Sequence, residues 1–289
     1  MNNYIYDFRG TLSKDKIKKS LQVNGFVLIK NVIPIEDLLQ SKKIIQQFLN
    51  KKGIYISLGK SQPNAAGVIE DLSFIFGHKN IIEIFKMIFF GDKFVYTQHA
   101  DVHKNLISGW HKDSGENQGE YFNGDCFSDK DCEVYKVGIY LQNTNQTIDG
   151  LTVKIKSHLT NKNLGIIKKI DTNLGDIIIF DVRISHMGKK ENFIEKTIRI
   201  FERYYRNIFK ISFRKKTFLN FLSEFYHNIR NQSDRFSIFF TFGKDNLQTK
   251  EFSLRNIQRQ EKQLGYKNIK ISSVLKNIFL KNNINISND

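Results

Sequence analysis

The chain has 289 residues but only two prolines, two cysteines and one tryptophan. Cys126 and Cys132 do not form a Cys-x-x-Cys pair, so the ligand spacing of a structural zinc site is missing. The longest apolar runs are far too short to cross a bilayer, and the opening residues lack the apolar segment of a secretory signal. These absences predict a reduced, cytoplasmic protein without a membrane span.

Acidic residues are scarce beside basic ones, with 29 Asp and Glu against 45 Lys and Arg, a formal net charge of +16. Such an excess of positive charge can bind nucleic acid, anionic lipid or an anionic substrate. The lysines are scattered among Asn and Ile along the chain rather than gathered in a recognition segment. We therefore expect a solvated basic surface and no nucleic-acid partner. The sequence does not indicate an oligomeric state.

Helical and extended patterns alternate in the first two thirds of the chain. Helix signals occur at 13–25, 34–53 and 80–91, where Ser13 and Pro34 mark starts. Val-, Ile- and Tyr-rich segments bounded by Gly, Asn or Asp predict short strands, at 26–33, 93–103, 133–142, 150–156 and 175–184. Short strands at this spacing favour an antiparallel sandwich or jelly roll with flanking helices, a mainly β, α+β fold class.

A long segment without glycine or proline separates Gly188 from Gly243. Apolar residues recur there at steps of three and four, which predicts helices over about 194–230 before "RFSIFFTFG" returns to strand. We therefore expect one domain over residues 1–289. Its expected parts are an N-terminal support (1–92), a jelly-roll core (93–188 and 233–243), a helical insertion (189–232) and a basic helical tail (244–289).

The segment "SGWHKDSGE" places His111 and Asp113 one residue apart, so on a strand both side chains point to the same face. His186 follows 73 residues after Asp113, at the end of the apolar strand "GDIIIFDVRISHMG". Each feature alone is typical of an ordinary hydrogen-bonded polar residue. Together they match the two-histidine, one-carboxylate triad, which suits Fe(II) because it leaves coordination positions open.

These motifs resemble the phytanoyl-CoA dioxygenase family of Fe(II)- and 2-oxoglutarate-dependent oxygenases. The resemblance is carried by "NGFVLIKNVIPIEDL", "WHKDSGE", "DGLTVKIKSH" and "GDIIIFDVRISHMG", and it covers about 10–188 and 233–243. It implies a double-stranded β-helix core, with His111, Asp113 and His186 as catalytic iron ligands. It also implies that Fe(II), 2-oxoglutarate and O2 together hydroxylate an unactivated C–H bond, releasing succinate and CO2. In the family's terms, the aspartate favours hydroxylation, or a variant such as desaturation, over halogenation.

The family also uses a cation for the distal carboxylate of 2-oxoglutarate, and a guanidinium offers that carboxylate two parallel donors. Arg235, which opens "RFSIFFTFG", is the preferred candidate; Arg199 and Lys196 are the alternatives. Arg235 lies 49 residues after the distal histidine. This spacing departs from the family pattern and requires the helical insertion. Gln98 resembles a glutamine that contacts 2-oxoglutarate in ectoine-hydroxylase-like members, although a cross-strand amide bond is an equal alternative. Thr152 is a further candidate to face the co-substrate.

The sequence does not identify the substrate. Loops on a rigid scaffold commonly bind ligands, which points to 56–73, 114–131 and 190–232. The basic charge favours a small anionic or sugar-like metabolite, with acyl-CoA still open. The alternatives are a non-catalytic jelly-roll binding protein, an oxygenase that acts on a macromolecule, and a structural zinc protein.

Overall fold

The computed structural model describes residues 4–10, 12–56, 58–115, 120–122, 125–144, 150–229 and 233–288. Parts of all three predicted substrate segments lie outside these described residues, namely 57, 116–119, 123–124 and 230–232. The strands, numbered in chain order, are β1 (Ile5–Asp7), β2 (Phe26–Lys30), β3 (Ile54–Ile56), β4 (Gly59–Pro63), β5 (Phe94–Lys104), β6 (Val134–Tyr140), β7 (Leu151–Ile155), β8 (Ile166–Ile170), β9 (Ile177–Asp181), β10 (His186–Met187), β11 (Phe236–Lys244) and β12 (Asn285–Ile286). The helices are α1 (Lys14–Asn24), α2 (Ile35–Lys51), α3 (Ala65–Val68), α4 (Ser73–Phe76), α5 (Lys79–Ile88), α6 (Phe193–Phe209), α7 (Phe218–Ile229), α8 (Leu247–Leu264) and α9 (Ser273–Lys281).

Nine of the strands form one large sheet in the order β1-β2-β9-β6-β11-β5-β4-β3, with β12 beside β5. Its pairings are antiparallel except those of β1 with β2 and of β12 with β5. The other three strands form a small antiparallel sheet in the order β10-β7-β8. The chain is therefore a mixed α/β protein built on a large, mainly antiparallel sheet. The antiparallel pairing agrees with the strand pattern, whereas the helices make the chain mixed rather than mainly β.

The two faces of the large sheet bury different partners. Phe240 and Phe242 of β11 point to the helical side and pack in a core that includes Phe85 of α5 and Phe279 of α9. The opposite face packs against the small sheet through a second cluster, which joins Tyr140, Phe180 and Leu28 to Leu151 and Val153. Since side chains alternate along a strand, each central strand serves both cores. The space between the two sheets is where the candidate site lies.

Local signals placed the helix boundaries well. Ser13 accepts a hydrogen bond from the Lys16 N–H at the start of α1, and Gly25 ends that helix with φ +83°. α2 begins after Pro34 and ends at Lys51, two residues before the predicted stop. The insertion contains α6 and α7, and α6 starts with a capping box between Asn192 and Glu195.

The basic tail is more than the outer layer that the sequence suggested. α8 packs on β5 and buries Phe252 and Gln260, while α9 adds Leu275 and Phe279 to the main core. The last strand, β12, then pairs in parallel with β5. The tail thus adds a strand beside β5 and completes the core that packs on the large sheet.

Cys126 and Cys132 differ from the expectation of a polar loop. Both are free thiols, and both are buried in a small apolar cluster with Phe122, Val134 and Phe252. Packing within this cluster holds the loop that contains the two cysteines against α8. In the part of the chain that the structure describes, none of the helices has the length and apolarity needed to cross a bilayer.

Candidate metal centre

His111 and His186 are brought together by the backbone. The N–H of each donates to the carbonyl of the other, at 3.0 and 2.9 Å, in an isolated antiparallel bridge that prolongs the small sheet. Residues directly opposite each other in such a pair project to the same side. Accordingly the two imidazole ring centroids lie 4.3 Å apart.

Asp113 joins them from the turn that follows His111. The Ser114 N–H donates to the Val182 carbonyl at 2.9 Å and fixes this turn against the end of β9. Asp113 Oδ1 lies 3.8 Å from His111 Nε2, and Oδ2 lies 3.5 Å from His186 Nε2. One potential ligand atom from each of the three residues lies within 4.8 Å of the others. The sequence-predicted triad is therefore assembled.

The hydrogen bonds of the two imidazoles prepare them for a metal. His111 Nδ1 lies 2.8 Å from the Gly109 carbonyl, and His186 Nδ1 lies 3.1 Å from the Ile184 carbonyl. A carbonyl can only accept, so each Nδ1 carries the proton and each Nε2 keeps its lone pair. The nitrogen–oxygen separations are below about 4.2 Å, twice a metal–ligand bond, so one ion can reach histidine and aspartate together. The donor set fits a divalent transition metal.

Charge at this centre is balanced by Lys136 of β6, which the sequence analysis missed. Its Nζ lies 2.7 Å from Asp113 Oδ2, and both side chains are mostly buried. Burial alone would raise the pKa of Asp113, but the Lys136 ammonium together with His186 and His111 outweighs burial and holds that pKa well below its ordinary value. The signal was a lysine among the apolar residues of "VYKVGIY".

Burial also keeps His186 neutral. Desolvation, and next the neighbouring His111, lower the pKa of His186 to about 3. By contrast the His111 side chain is 42% exposed, so the centre opens to solvent on that side. A buried neutral ligand beside an accessible one suits a centre that must admit further ligands.

Lys112, between the two proximal ligands, points the other way. It is buried and donates to the carbonyls of Ser157 and Arg183, at 2.5 and 2.7 Å. Those carbonyls belong to the turns that follow β7 and β9. The His-x-Asp segment is thereby anchored at its central residue, which fixes the directions of the side chains on either side.

A second polar cluster lies on β5. His99 Nδ1 is 2.7 Å from Thr241 Oγ1, and His99 Nε2 is 3.2 Å from Asp101 Oδ2. Arg259 of α8 donates to the same Asp101 oxygen at 3.1 Å. Burial lowers the pKa of His103, further along the strand, to about 4, although Asp101 opposes the change. None of this network was predicted; its signal was the alternation in "HADVH".

The two arginine candidates occupy different environments. Arg235 is buried and donates to the Leu106 carbonyl, and a Cβ added at Gly188 would lie 3.4 Å from its Nη1. Gly188 is two residues beyond the distal histidine, so this guanidinium approaches the centre. Arg199 of α6 instead donates to both carboxylate oxygens of Glu191, at 2.6 and 2.7 Å. Lys196 is exposed on the same helix.

The other two co-substrate candidates point elsewhere. The Gln98 amide donates to the Ser287 carbonyl at 2.5 Å, from a residue with φ +58°. On β7, Val153 is opposite His186 and Thr152 is opposite Met187. Thr152 therefore lies on the face opposite to the distal histidine. Both assignments stay predictions that these contacts do not support.

A polar cleft of about 820 Å³ adjoins Arg235. It lies between the β4–β5 edge of the large sheet and the insertion, and its wall includes Lys60, Lys104, Asn220, Ser223 and His227. Ile107 and Lys189, which pair in an isolated bridge, also line it. Ile107 lies four residues before His111, and Lys189 lies three residues after His186. At about 3.3 Å per residue, the cleft reaches within roughly 10–13 Å of the centre.

The fold resembles those of solved non-heme, 2-oxoglutarate-dependent enzymes, but no protein-family model and no curated protein matches the sequence. The epimerase SnoN from nogalamycin biosynthesis matches over 80% of this chain and 82% of its own, with 10% identity and TM-score 0.54. The carbocyclase SnoK from the same biosynthesis matches over 80% and 83%, with 12% identity and TM-score 0.52. HygX from Streptomyces hygroscopicus, solved with nickel, 2-oxoglutarate and hygromycin B, matches over 81% and 88%, with 12% identity and TM-score 0.54. SnoN was also solved with Fe3+, alpha ketoglutarate and nogalamycin RO. At these identities the likeness establishes the fold.

Proposed function

We propose that this chain is an Fe(II)- and 2-oxoglutarate-dependent oxygenase that acts on a small polar metabolite. The observation that carries the proposal is the convergence of His111, Asp113 and His186, with both Nε2 lone pairs available, between two stacked sheets. Solved structures of the same fold hold iron or nickel together with 2-oxoglutarate, which supports this choice of metal and co-substrate.

We further propose that the stacked sheets are a double-stranded β-helix of the phytanoyl-CoA dioxygenase type. The order of the motifs supports this assignment, since the proximal pair precedes β6 and the distal histidine opens β10. The family assignment rests on those motifs. The free thiols of Cys126 and Cys132 accord with the reducing cytoplasm that we propose as its compartment.

His111, Asp113 and His186 would hold the iron, which would supply the O2-dependent oxidation of 2-oxoglutarate to succinate and CO2 and an oxidant for an inert C–H bond. The protein has two tasks around it. Lys136 keeps the Asp113 carboxylate ionised before the metal binds. The backbone carbonyls of Gly109 and Ile184 hold the histidine tautomers.

Arg235 is our proposed anchor for the distal carboxylate of 2-oxoglutarate. It shares a strand face with Ser237, whose neighbours across the sheet are His103 and Tyr140, so the carboxylate would meet further polar groups there. Arg199 is the weaker choice because its guanidinium is already engaged by Glu191.

The proposed substrate is small and polar because the cleft beside Arg235 is lined mainly by Lys, Asn, Ser, Asp and Glu side chains. HygX was solved with hygromycin B, and SnoN with nogalamycin RO, so related folds take up small molecules. We propose C–H hydroxylation as the outcome. Because SnoN and SnoK are an epimerase and a carbocyclase, product mass must decide: hydroxylation adds one oxygen atom, whereas epimerisation leaves the mass unchanged.

The decisive experiment measures succinate. Protein purified without oxygen is mixed with Fe(II) and 2-oxoglutarate, O2 is admitted, and succinate is followed with and without fractionated metabolite pools. We expect turnover that a pool stimulates and that His186→Ala abolishes. No succinate above the metal-free background in any pool would overturn the proposal in favour of a non-catalytic binding protein. Succinate stimulated only by RNA, DNA or protein fractions would point to a macromolecular substrate.

The anchor is tested by binding rather than turnover. Titration of 2-oxoglutarate into the Mn(II)-loaded protein should show a large loss of affinity in Arg235→Ala and none in Arg199→Ala. The reverse result would show that the assignment of Arg235 is wrong.

A further inference from the structure

The helical insertion has its apolar side outward. α6 is amphipathic: successive residues turn by about 100°, which gathers its Phe, Ile and Tyr residues on one half of the helix and its charged residues on the other. The residues buried against the protein come from the charged half. They are Glu195, Glu202 and Arg206. An ordinary surface helix buries the opposite half.

α7 repeats the inversion. Its buried residue is Asn220, and the polar side that carries Ser223 and His227 lines the cleft described above. Its aromatic side is turned to solvent, with Phe218 68% exposed and Phe225 54% exposed.

A buried polar network holds the two helices in this arrangement. Arg206 donates to Glu202 at 2.6 Å, to Asn220 at 2.8 Å and to the carbonyls of Ser212 and Lys215. Thr217 donates to Glu202 at 3.2 Å. Because a guanidinium with this many partners has one favourable position, the outward direction of the apolar side is a fixed property of the fold.

The outward surface, here called the aromatic face, is large. Ten of its side chains are more than half exposed: Phe193, Ile200, Phe201, Tyr204, Ile208, Phe209, Phe218, Phe221, Phe225 and Ile229. At about 100 Å² from each, the exposed apolar area is roughly 1,000 Å², well above the few hundred Å² found on ordinary monomers. A surface of this kind needs a partner.

Charge indicates which partner. Residues 189–232 contain eleven Lys and Arg against four Glu, and the whole chain carries +16. A basic row of exposed side chains recurs every seven residues along α6 and at its C-cap: Lys196, Arg203 and Lys210. A second copy of the chain would place like charges against each other, whereas anionic lipid headgroups would attract them.

We propose that the α6–α7 hairpin docks on the surface of a membrane that carries anionic lipid. An amphipathic helix with aromatic and aliphatic residues on one side and Lys and Arg on the other lies in the plane of the interface, with its apolar side among the acyl chains. α6 and α7 have 17 and 12 residues, too short to span a bilayer and suited to lying on it. The basic row reaches the headgroups from the rim.

The test is sedimentation of the full-length protein with vesicles of phosphatidylcholine, with and without phosphatidylglycerol. We expect binding to the anionic vesicles, weakened by salt. Phe201→Ser/Phe221→Ser/Phe225→Ser should bind about tenfold or more weakly, because three half-exposed rings no longer enter the bilayer. A matched control, Ile166→Ser/Ile167→Ser/Leu247→Ser, removes three apolar side chains elsewhere that are even more exposed, and it should bind as the wild type does.

The aromatic variant keeps every charge. Equal binding by this variant and the wild type would therefore attribute sedimentation to net charge alone and overturn the proposal. Lys196→Glu/Arg203→Glu/Lys210→Glu should abolish the preference for anionic vesicles. Absence of binding at low salt would also overturn it, provided that circular dichroism shows the protein folded.

Light scattering distinguishes the self-associating alternative. We expect the same mass for the wild type and the aromatic variant in solution. A wild-type dimer that the aromatic substitutions dissociate would make the aromatic face a subunit interface and refute the membrane proposal. All of these readouts are independent of iron and 2-oxoglutarate.

Discussion

Lys136→Met removes the ammonium 2.7 Å from Asp113 Oδ2 and leaves a flexible apolar side chain in its place. The two side chains are only 11% and 16% exposed, so water can compensate the carboxylate only in part. Removing one partner of a buried ion pair typically costs about 3–5 kcal/mol, because the other charge is left uncompensated. Since Asp113 keeps some exposure, we expect the metal-free variant to lose about 3 kcal/mol of stability near neutral pH.

Metal binding should then be tighter in the variant than in the wild type. In the wild type, an ammonium and a divalent ion compete for one carboxylate and repel each other. Without the ammonium, the ion restores most of the missing positive charge. If half of the lost stability is recovered on binding, the metal affinity rises by roughly tenfold, since tenfold corresponds to about 1.4 kcal/mol.

The pH dependence of stability and of metal binding provides an independent test. Lys136 holds the pKa of Asp113 below that of an unfolded aspartate, so this carboxylate contributes stability above the unfolded pKa and loses it as pH falls through the lower, folded one. In Lys136→Met, burial remains and raises the pKa of Asp113. The carboxylate should therefore become protonated at a higher pH, and the stabilisation by metal should disappear there.

The assay is urea unfolding over a pH series, with and without Mn(II), together with calorimetric titration of the metal. Lys154→Met is the matched control, because this lysine lies over the Trp110 ring, 4.6 Å from its centroid. It should change neither metal affinity nor its pH dependence. Weaker Mn(II) binding by Lys136→Met than by the wild type would refute this reasoning and show that the ammonium shapes the site.

Three further predictions concern the scaffold. Arg206→Met should unfold the α6–α7 hairpin locally, which hydrogen exchange would show as lost amide protection over 193–229. Arg203→Met, at an exposed position, should leave this protection unchanged. Unchanged protection in Arg206→Met would contradict the role of the buried network. Gly25→Ala should lower the free energy of unfolding, measured in urea, by more than about 1 kcal/mol, because φ is +83° and the new Cβ would lie 2.5 Å from an imidazole nitrogen. Gly10→Ala is the control, because nothing lies near the position of its new Cβ. Burial lowers the pKa of His103 to about 4, so the stability of the protein should fall as pH drops from about 6.5 to 4. His103→Gln should make stability depend less on pH in this range. An unchanged dependence would exclude His103 as its source.

The sequence revealed those features whose signals are local. Ser13 and Gly25 mark the two ends of α1 because caps act within a few residues, and β5, β6 and β9 lie in segments rich in Val, Ile and Tyr. The triad could also be proposed, since its chemistry is rare and its residues lie in two short motifs. Asp113, however, lies in a turn and not on the strand that the His-x-Asp spacing suggested.

Long-range pairings could not be predicted in the same way. The short strands β3, β4 and β8 have weak patterns and form because a neighbouring strand offers hydrogen bonds. The contact of Lys136 with Asp113 depends on the register between β6 and β9 and on the turn after His111. Gln98 illustrates the converse: its motif resemblance was local, but a bulged backbone turns its amide to Ser287.

The insertion shows a further limit of periodicity. A three-four repeat identifies an amphipathic helix but not which side meets the protein, and the usual assumption would have buried the phenylalanines of α6 and α7. Here the scaffold offers a polar edge, at Lys104 and Asp234, so the polar sides of the helices face it and enclose the cleft. The polar wall of the proposed substrate site and the outward aromatic face are thus two sides of one hairpin. Substitutions on the aromatic face should for that reason alter membrane binding without altering the cleft, whereas loss of Arg206 should disturb both.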